Sequence, residues 1–217
     1  MMRSIKKTLD TVIYNQIIDS LILGEYKMGE QILLDSLAEK YGVSRTPVVQ
    51  AVKLLANDSI LQVLKNGRVR VPVYTGEQIE QICSVRILVE LYALDEIFRN
   101  PSSPEFEDTY EQLNELADLG IKYTDAGDKL NFNKTDLSFH KLLVKGSGNE
   151  FLSDIYKRIQ GRFIVANYLY IPWENRDFSD AAKAHLNLMD AFRQKDLESS
   201  KKILAEHIQS VAQVAHE

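Results

Sequence analysis

The sequence predicts a mainly α-helical protein in which the succession of helices is interrupted once by a short β-hairpin. Apolar residues recur at helical spacing over most of the 217 residues, which is typical of amphipathic helices. One stretch, ILQVLKNGRVRVPVY, is instead rich in β-branched residues and has Asn-Gly near its centre, which predicts a hairpin turn. No strand pattern of comparable strength follows it. We therefore expect two domains, residues 1–75 with the hairpin and residues 76–217 without strands.

Three helices are predicted before the hairpin. The first covers about residues 8–23 and stops at Gly24, and the second, in LLDSLAEKY, stops at Gly42. The third helix spans VSRTPVVQAVKLLAND, where Ser44 can serve as the N-cap and Pro47 is tolerated in the first turn. A helix, a helix–turn–helix and a hairpin in this order predict a winged helix-turn-helix domain.

The rest of the chain is predicted to form an all-α antiparallel bundle of about six helices. Five breaks rich in Gly, Pro, Asp and Asn separate these helices, and they read NPSSP, DAGD, GSGN, IPWENRD and QKD. We place the helices near residues 76–99, 104–124, 127–146, 149–171, 178–195 and 197–215.

The composition favours a soluble cytoplasmic protein that has no membrane partner. No run of about 18 apolar residues is present, so no transmembrane helix is predicted. Cys83 is the single cysteine, which excludes an internal disulfide framework and fits a reducing compartment. Residues 1–75 carry 10 Lys and Arg against 7 Asp and Glu, whereas residues 76–217 carry 16 against 24. The basic excess of the N-terminal domain is small, but its sign is the one expected for a nucleic-acid surface.

The third helix has an apolar face and a polar face, as a DNA-reading helix requires. Val48, Val52 and Leu55 form an apolar stripe that is expected to pack inward. The opposite face can enter the major groove, where we expect Arg45 to contact a guanine or a phosphate. The alternative is an ordinary solvated helix face beside an ordinary hairpin. The predicted DNA contacts on the helix and the wing are Ser44, Arg45, Thr46, Pro47, Val49, Gln50, Lys53, Gly67, Arg68 and Arg70.

Three of the four histidines stand on apolar faces of three different predicted helices. His140 follows Asp136 by four residues, so the imidazole and the carboxylate share one helix face. His185 and His207 are also surrounded by apolar residues, whereas His216 is next to the C terminus. A buried carboxylate is costly unless it is compensated, and a divalent cation would offset that cost. The set suits Zn²⁺, Ni²⁺, Mn²⁺ or Fe²⁺; the alternative is that these histidines are ordinary core or interface residues.

Motifs in both halves of the chain resemble one family of regulators. The segment YGVSRTPVVQAVKLLANDSIL is similar to the recognition segment of the GntR family of bacterial transcription regulators, and NGRVRV resembles its wing. The segments SVRILVELYA and DLSFHKLLVKGSGN resemble the FadR-type effector domain of this family, the FCD domain. The resemblance covers nearly the whole chain. It implies a homodimer that binds a palindromic double-stranded DNA operator and responds to a small organic acid.

The resemblance also implies roles for particular residues. Arg86, in SVRILVE, resembles the family arginine that faces the metal pocket and binds an effector carboxylate, unless it forms a surface salt bridge with Glu90. Apart from the resemblance, Tyr168, Tyr170 and Trp173 are candidates either for the lining of a ligand pocket or for the core. Many FCD domains bind a metal through one Asp and three His, and the matching positions here are Asp136, His140, His185 and His207.

The chain departs from the family pattern at two places. Val49-Gln50 stands where the family usually has Arg-Glu, and Asp35 stands where many members carry a basic or polar contact residue. Val49 could instead contact a thymine methyl group and Gln50 could bind adenine, so the operator sequence of relatives does not transfer. Two other function classes stay open at this point. One is a metal-dependent hydrolase built on the bundle, and the other is a metal-storage or structural bundle, which leaves GVSRTPV unexplained.

Overall fold

The predicted fold class is confirmed. A computed structural model describes residues 8–170 and 178–214, and these ranges contain nine helices and three short strands. Trp173 and His216 lie outside them. The N-terminal elements are α1 (Leu9–Ile22), β1 (Gln31–Ile32), α2 (Leu34–Tyr41), α3 (Arg45–Asn57), β2 (Gln62–Val63) and β3 (Val69–Arg70). The C-terminal helices are α4 (Gly76–Ile97), α5 (Pro104–Asp125), α6 (Lys129–Gly146), α7 (Glu150–Tyr170), α8 (Ser179–Arg193) and α9 (Leu197–Val214).

The wing contains the predicted hairpin and one additional strand. β3 is the central strand, and it pairs antiparallel with both β2 and β1, so that Arg70 lies between Gln62 and Gln31. The sequence does not reveal β1, because two residues are too few for an alternating pattern. The amide of Gly29 donates to the carbonyl oxygen of Val71 and extends this pairing beyond the strand.

The ends of the helices follow from local sequence signals. α2 ends where Gly42 adopts a left-handed conformation with φ of 63°, which costs glycine little. α3 begins after Ser44, whose backbone has the extended N-cap conformation although its side chain forms no capping hydrogen bond. α4 begins with a capping box formed by Thr75 and Gln78. We keep the domain boundary at Thr75 and Gly76 as a proposal, because a well-capped helix starts there.

The six C-terminal helices pack around one apolar core. α5 packs on α6 and α8, α8 packs on α9, and α4 packs on α6, α7 and α9. Phe98, Phe106 and Phe192 join the end of α4 to α5 and α8, with ring centroids 4.7 to 5.4 Å apart. Among residues 8–170 and 178–214, no helix combines the length and the hydropathy that a membrane span requires.

The N-terminal domain packs directly on α7 of the bundle. Ile164, Val165 and Tyr168 of α7 are buried in the same apolar cluster as the core residues of α1 and α3. At Gly161 the backbone of α7 approaches the carbonyl oxygen of Asp58, so that an added Cβ atom would lie 1.8 Å from that oxygen. The sequence gives no sign of this contact, because the two segments are about a hundred residues apart in the chain.

A polar contact extends the interface to α6. Nζ of Lys134 lies 2.9 Å from Oδ1 of Asp19 in α1. Within the N-terminal domain, the hydroxyl of Tyr14 donates to Oδ2 of Asp58 at 2.8 Å, beside the contact with Gly161. Leu137, which follows Lys134 by three residues on α6, packs against the apolar cores of both domains. α6 is therefore in contact with the N-terminal domain as well as with the bundle.

Candidate metal centre and DNA-binding surface

The structure brings the four predicted metal ligands together inside the bundle. α6 contributes Asp136 and His140 one turn apart, α8 contributes His185 and α9 contributes His207. Nε2 of His140 lies 3.1 Å from Nε2 of His207 and 3.2 Å from Nε2 of His185. Oδ1 of Asp136 lies 3.6 to 3.8 Å from the three Nε2 atoms. We call these four residues the Asp–His cluster.

The spacing of the nitrogen atoms fits a single divalent transition-metal ion. A metal–nitrogen bond of about 2.05 Å separates neighbouring ligand nitrogens by roughly 3.3 Å in a tetrahedral site and roughly 2.9 Å in an octahedral site. The two measured nitrogen–nitrogen distances, 3.1 and 3.2 Å, fall between these values. Three imidazoles and one carboxylate are also a donor set that such ions accept. The cluster can therefore hold a metal ion.

Burial keeps two of the imidazoles in the neutral form that binds metals. Burial and the neighbouring imidazoles lower the pKa of His207 to about 4 and hold the pKa of His185 well below its ordinary value. Burial opposes the charge of Asp136, but its hydrogen bond to His140 and the nearby imidazoles hold the pKa of the carboxyl below its usual range. Burial also opposes the charge of His140, but two carboxylates, Glu90 and Asp136, raise its pKa.

Glu90 of α4 is a buried carboxylate that contacts His140 on the side of the ring away from the cluster, and no sequence motif assigns it a functional role. Its Oε2 atom lies 2.6 Å from Nδ1 of His140, the ring nitrogen that does not face the cluster. Its Oε1 atom accepts hydrogen bonds from Nε of Arg86 at 2.6 Å and from the hydroxyl of Tyr156 at 2.7 Å. All four residues are at most 2% exposed. The one sequence signal for Glu90 is its four-residue spacing from Arg86.

Arg86 is buried, so the alternative of a surface salt bridge with Glu90 is wrong. The ion pair does form, but it lies inside the bundle, where the guanidinium carbon is 3.9 Å from the ring centroid of Phe163. Arg86 belongs to the inward face of α4, together with the buried residues Ile82 and Val89. Its Nε is bonded to Glu90, and its two terminal nitrogens carry four further N–H groups that can bind a carboxylate. The role of Arg86 in effector binding stays a prediction.

The predicted DNA contacts on α3 form an exposed surface beside a buried stripe. Val48, Val52 and Leu55 are buried against α1 and the wing, as the apolar pattern indicates. The polar face has the exposure that a groove-binding helix needs. Ser44, Arg45, Thr46, Gln50 and Lys53 are exposed, whereas Pro47 and Val49 are half-buried.

The wing presents its cationic residues beside a tight turn. Gly67 has a φ of 77°, which strongly favours glycine, and it lies at the tip of the β2–β3 hairpin. Arg68 is exposed, and its amide donates to Oδ1 of Asn66 within the turn. Nε of Arg70 donates to Oε1 of Gln62 on the neighbouring strand at 2.8 Å, which holds the Arg70 side chain along the sheet.

Asp35, one of the two departures from the family pattern, lies beside Arg45. Its Oδ1 atom is 3.5 Å from Nη1 of Arg45, and the two side chains are 79% and 64% exposed. An ion pair with this exposure contributes little to stability. A phosphate or a base edge would therefore compete readily with Asp35 for the guanidinium group.

The fold, the exposed face of α3 and the wing define a winged helix-turn-helix DNA-binding protein. Its second domain is a helical bundle whose Asp–His cluster could hold a metal ion. The family comparison agrees in both halves. Residues 9–71 match the bacterial regulatory proteins of the gntR family, and residues 81–210 match the FCD domain. The chain belongs to the GntR family of bacterial transcription regulators and carries an FCD domain. It is a transcription regulator and not an enzyme, which removes the hydrolase alternative.

Several relatives resemble the chain over most of its length. The HTH-type transcriptional regulator YdhC of Bacillus subtilis is 24% identical over 194 residues, which cover 89% of this chain and 85% of the relative. The gluconate operon transcriptional repressor of Bacillus subtilis is 25% identical over 180 residues, which cover 81% and 72%. The solved structure of Escherichia coli McbR/YncC superposes with a TM-score of 0.79 at 22% identity and covers 96% of this chain and 97% of that chain. It has the same fold.

Proposed function

We propose that this transcription regulator acts as a homodimer on a palindromic DNA operator and holds a divalent transition metal in the Asp–His cluster. The observation that carries this proposal is the convergence of three imidazoles and one carboxylate, with ligand atoms all within 4.8 Å of one another. The metal is one of Zn²⁺, Ni²⁺, Mn²⁺ or Fe²⁺, which suit this donor set. The regulator acts in the cytoplasm, where bacterial operators are found.

The first turn of α3 and the wing would contact the operator. The exposure of Arg45 supports a contact with guanine or phosphate, and its weak pair with Asp35 leaves it able to exchange partners. Val49 and Gln50 would read a thymine methyl group and an adenine. The remaining contacts, to phosphates or the minor groove, would come from Ser44, Thr46, Pro47, Lys53, Gly67, Arg68 and Arg70.

The ligand that the bundle senses would be a small organic acid. A metal held by four protein ligands keeps further positions open when it is octahedral, and a carboxylate is a suitable oxygen ligand for them. Arg86 lies next to the cluster through Glu90 and His140, and its terminal nitrogens would bind the same carboxylate. Such a ligand regulates only if it binds the DNA-competent and DNA-incompetent states with different affinities.

An exposed apolar face on α4 and α7 supports the homodimer. Val85 and Leu88 of α4 are 47% and 71% exposed, and Phe151 and Ile155 of α7 are 84% and 56% exposed. Val85, Phe151 and Ile155 line one groove, so the two helices present a continuous surface. Large apolar side chains with this exposure are typical of a surface that another protein covers. We propose a second copy of this chain as the partner, because a two-fold axis would match a palindromic operator.

Elemental analysis of the purified protein tests the metal site. The wild type should contain about one transition metal per chain, and His140→Ala and His185→Ala should each lose it. His216→Ala, which changes the one histidine outside the Asp–His cluster, is the matched control and should retain the metal. A wild type that takes up no Zn²⁺, Ni²⁺, Mn²⁺ or Fe²⁺ even after soaking would exclude the metal and leave the DNA-binding proposal intact.

Operator titrations test the sensing function separately. Operator affinity of the metal-loaded protein should change when a panel of small carboxylic acids is added at saturating concentration. Arg86→Met should reduce the response to the acid that acts. Identical operator affinity with and without every acid that binds the protein would refute the sensor and would leave the metal with a purely structural role.

A further inference from the structure

Glu90 is the most deeply buried carboxylate in the described part of the chain that the proposed function does not use. It is fully buried, and its oxygen atoms contact Arg86, Tyr156 and Nδ1 of His140. Its Oε2 atom lies 2.6 Å from Nδ1 of His140, whereas Nε2 on the opposite side of the same ring points into the cluster. Glu90 therefore sits directly behind one candidate metal ligand.

The surroundings of Glu90 keep it ionised. A buried carboxylate without partners would be protonated, but here Arg86 supplies a full positive charge at 2.6 Å and Tyr156 donates a further hydrogen bond. An ionised carboxylate has no proton to give, so Nδ1 of His140 must be the donor in this pair.

That assignment determines what the other ring nitrogen can do. When Nδ1 of a neutral imidazole carries the proton, Nε2 presents a lone pair, which is the form that binds a metal. Because Arg86 and Tyr156 both hold Oε1 of Glu90, the carboxylate cannot easily turn away from His140. Packing constrains the ring from the side as well, since Phe139 meets it edge-on with centroids 5.6 Å apart.

We propose that Glu90 is a positioning residue for the metal ligand His140. Glu90 fixes which nitrogen of the imidazole carries the proton, fixes the orientation of the ring and strengthens the bond of the ring to the ion. This inference rests on the proposed metal site. It gives the buried pair of Arg86 and Glu90 a function beyond the fold. It also connects the metal site to the arginine proposed for the effector, because the metal ligand His140 and Arg86 contact the same carboxylate.

The experiment removes the carboxylate without leaving a buried charge behind. Glu90→Leu alone would leave Arg86 uncompensated in the core and could prevent folding. The double variant Arg86→Met/Glu90→Leu removes both charges together, and it is compared with the wild type. The matched control is Tyr156→Phe in the wild-type chain, which removes one neutral hydrogen bond to Glu90 and leaves its contacts with Arg86 and His140. Glu90→Gln in the otherwise wild-type chain provides a second comparison.

Three readouts separate positioning from a structural role. The dissociation constant of Zn²⁺ is measured by competition with a chelator, and the visible absorption of bound Co²⁺ reports the ligand field. The thermal midpoint is recorded with and without metal. A structural role would lower the midpoint of the metal-free protein, whereas positioning changes the metal affinity, the Co²⁺ spectrum and the increase in midpoint that the metal causes.

The Arg86→Met/Glu90→Leu variant should bind Zn²⁺ about 10- to 100-fold more weakly than the wild type and should have shifted Co²⁺ bands. Glu90→Gln should have an affinity between those of the wild type and the double variant, because its amide oxygen still accepts from Nδ1, and Tyr156→Phe should stay nearest the wild type. If the double variant binds Zn²⁺ as tightly as the wild type with the same Co²⁺ spectrum, this inference is wrong while the metal site stands. A wild type that binds neither ion would overturn both.

Discussion

The close contact between Gly161 and Asp58 predicts that a larger residue at position 161 would destabilise the packing of α7 on the N-terminal domain. Replacing Gly161 with alanine would place a Cβ atom 1.8 Å from the carbonyl oxygen of Asp58 and 2.9 Å from its carbonyl carbon. Both are backbone atoms, so neither can rotate away. A carbon atom and a carbonyl oxygen in contact are normally about 3.3 Å apart or more, so the two segments would have to separate by roughly 1.5 Å.

Two opposing effects set the size of the expected change. Alanine is about 1 kcal/mol more favourable than glycine inside a helix. Forcing extra volume into a packed contact costs about 1–3 kcal/mol, and sometimes more. The cost should lie at the upper end here, because the obstructing atom belongs to the backbone of the other domain. We therefore expect Gly161→Ala to lower the free energy of unfolding by about 1–2 kcal/mol, which is about 2–8 °C in Tm for a chain of this size.

Thermal unfolding followed by circular dichroism measures this effect against a matched control. Gly120 is inside α5, and a Cβ atom there would have Phe132 as its nearest neighbour at 3.8 Å, an ordinary contact distance. Gly120→Ala should therefore gain about 1 kcal/mol from helix propensity alone. The reasoning is refuted if Gly161→Ala is as stable as Gly120→Ala, since the close approach of α7 to Asp58 would then have no energetic consequence.

Arg45→Ala should weaken binding to a specific operator duplex by about 1–3 kcal/mol in anisotropy titrations. Lys53→Ala should weaken binding to all duplexes alike and should reduce the slope of log affinity against log salt concentration by about one. Equal losses of affinity on every duplex would contradict base reading by Arg45. Leu88→Lys with Phe151→Lys should yield a monomer in light scattering, because unpaired charges are costly in an apolar interface; an unchanged mass would exclude this face. Zn²⁺ affinity should fall about tenfold per pH unit below the raised pKa of His140, because metal binding at Nε2 displaces a proton; a flat profile would contradict that protonation state.

The parts of the site that the sequence reveals are those that lie on one helix or on clear apolar faces. The four-residue spacing of Asp136 and His140 is enough to place them together, and the apolar neighbours of His185 and His207 indicate that these rings point inward. The structure brings the four side chains together. The two faces of α3 can also be predicted from the sequence, since its buried and exposed residues follow the helical period.

The contacts that join distant segments of the chain cannot be predicted from the sequence. Glu90 is fifty residues from His140, and nothing local indicates that their helices meet at those two positions. Its spacing from Arg86 predicts an ion pair but not whether the pair is exposed or buried. Gly161 looks like an ordinary helical glycine until Asp58 is found against it. Such features depend on how whole elements pack, which local patterns do not encode.

Helix α6 contacts the N-terminal domain through Lys134 and Leu137 and carries Asp136 and His140 in the Asp–His cluster. If occupancy of the cluster changes operator affinity through this helix, the coupling must be reciprocal. A tenfold effect of the ion on DNA binding then requires a tenfold effect of DNA on ion binding. The operator would act as an allosteric ligand of the metal site, and DNA-bound copies would exchange their ion at free-metal concentrations different from those of copies in solution.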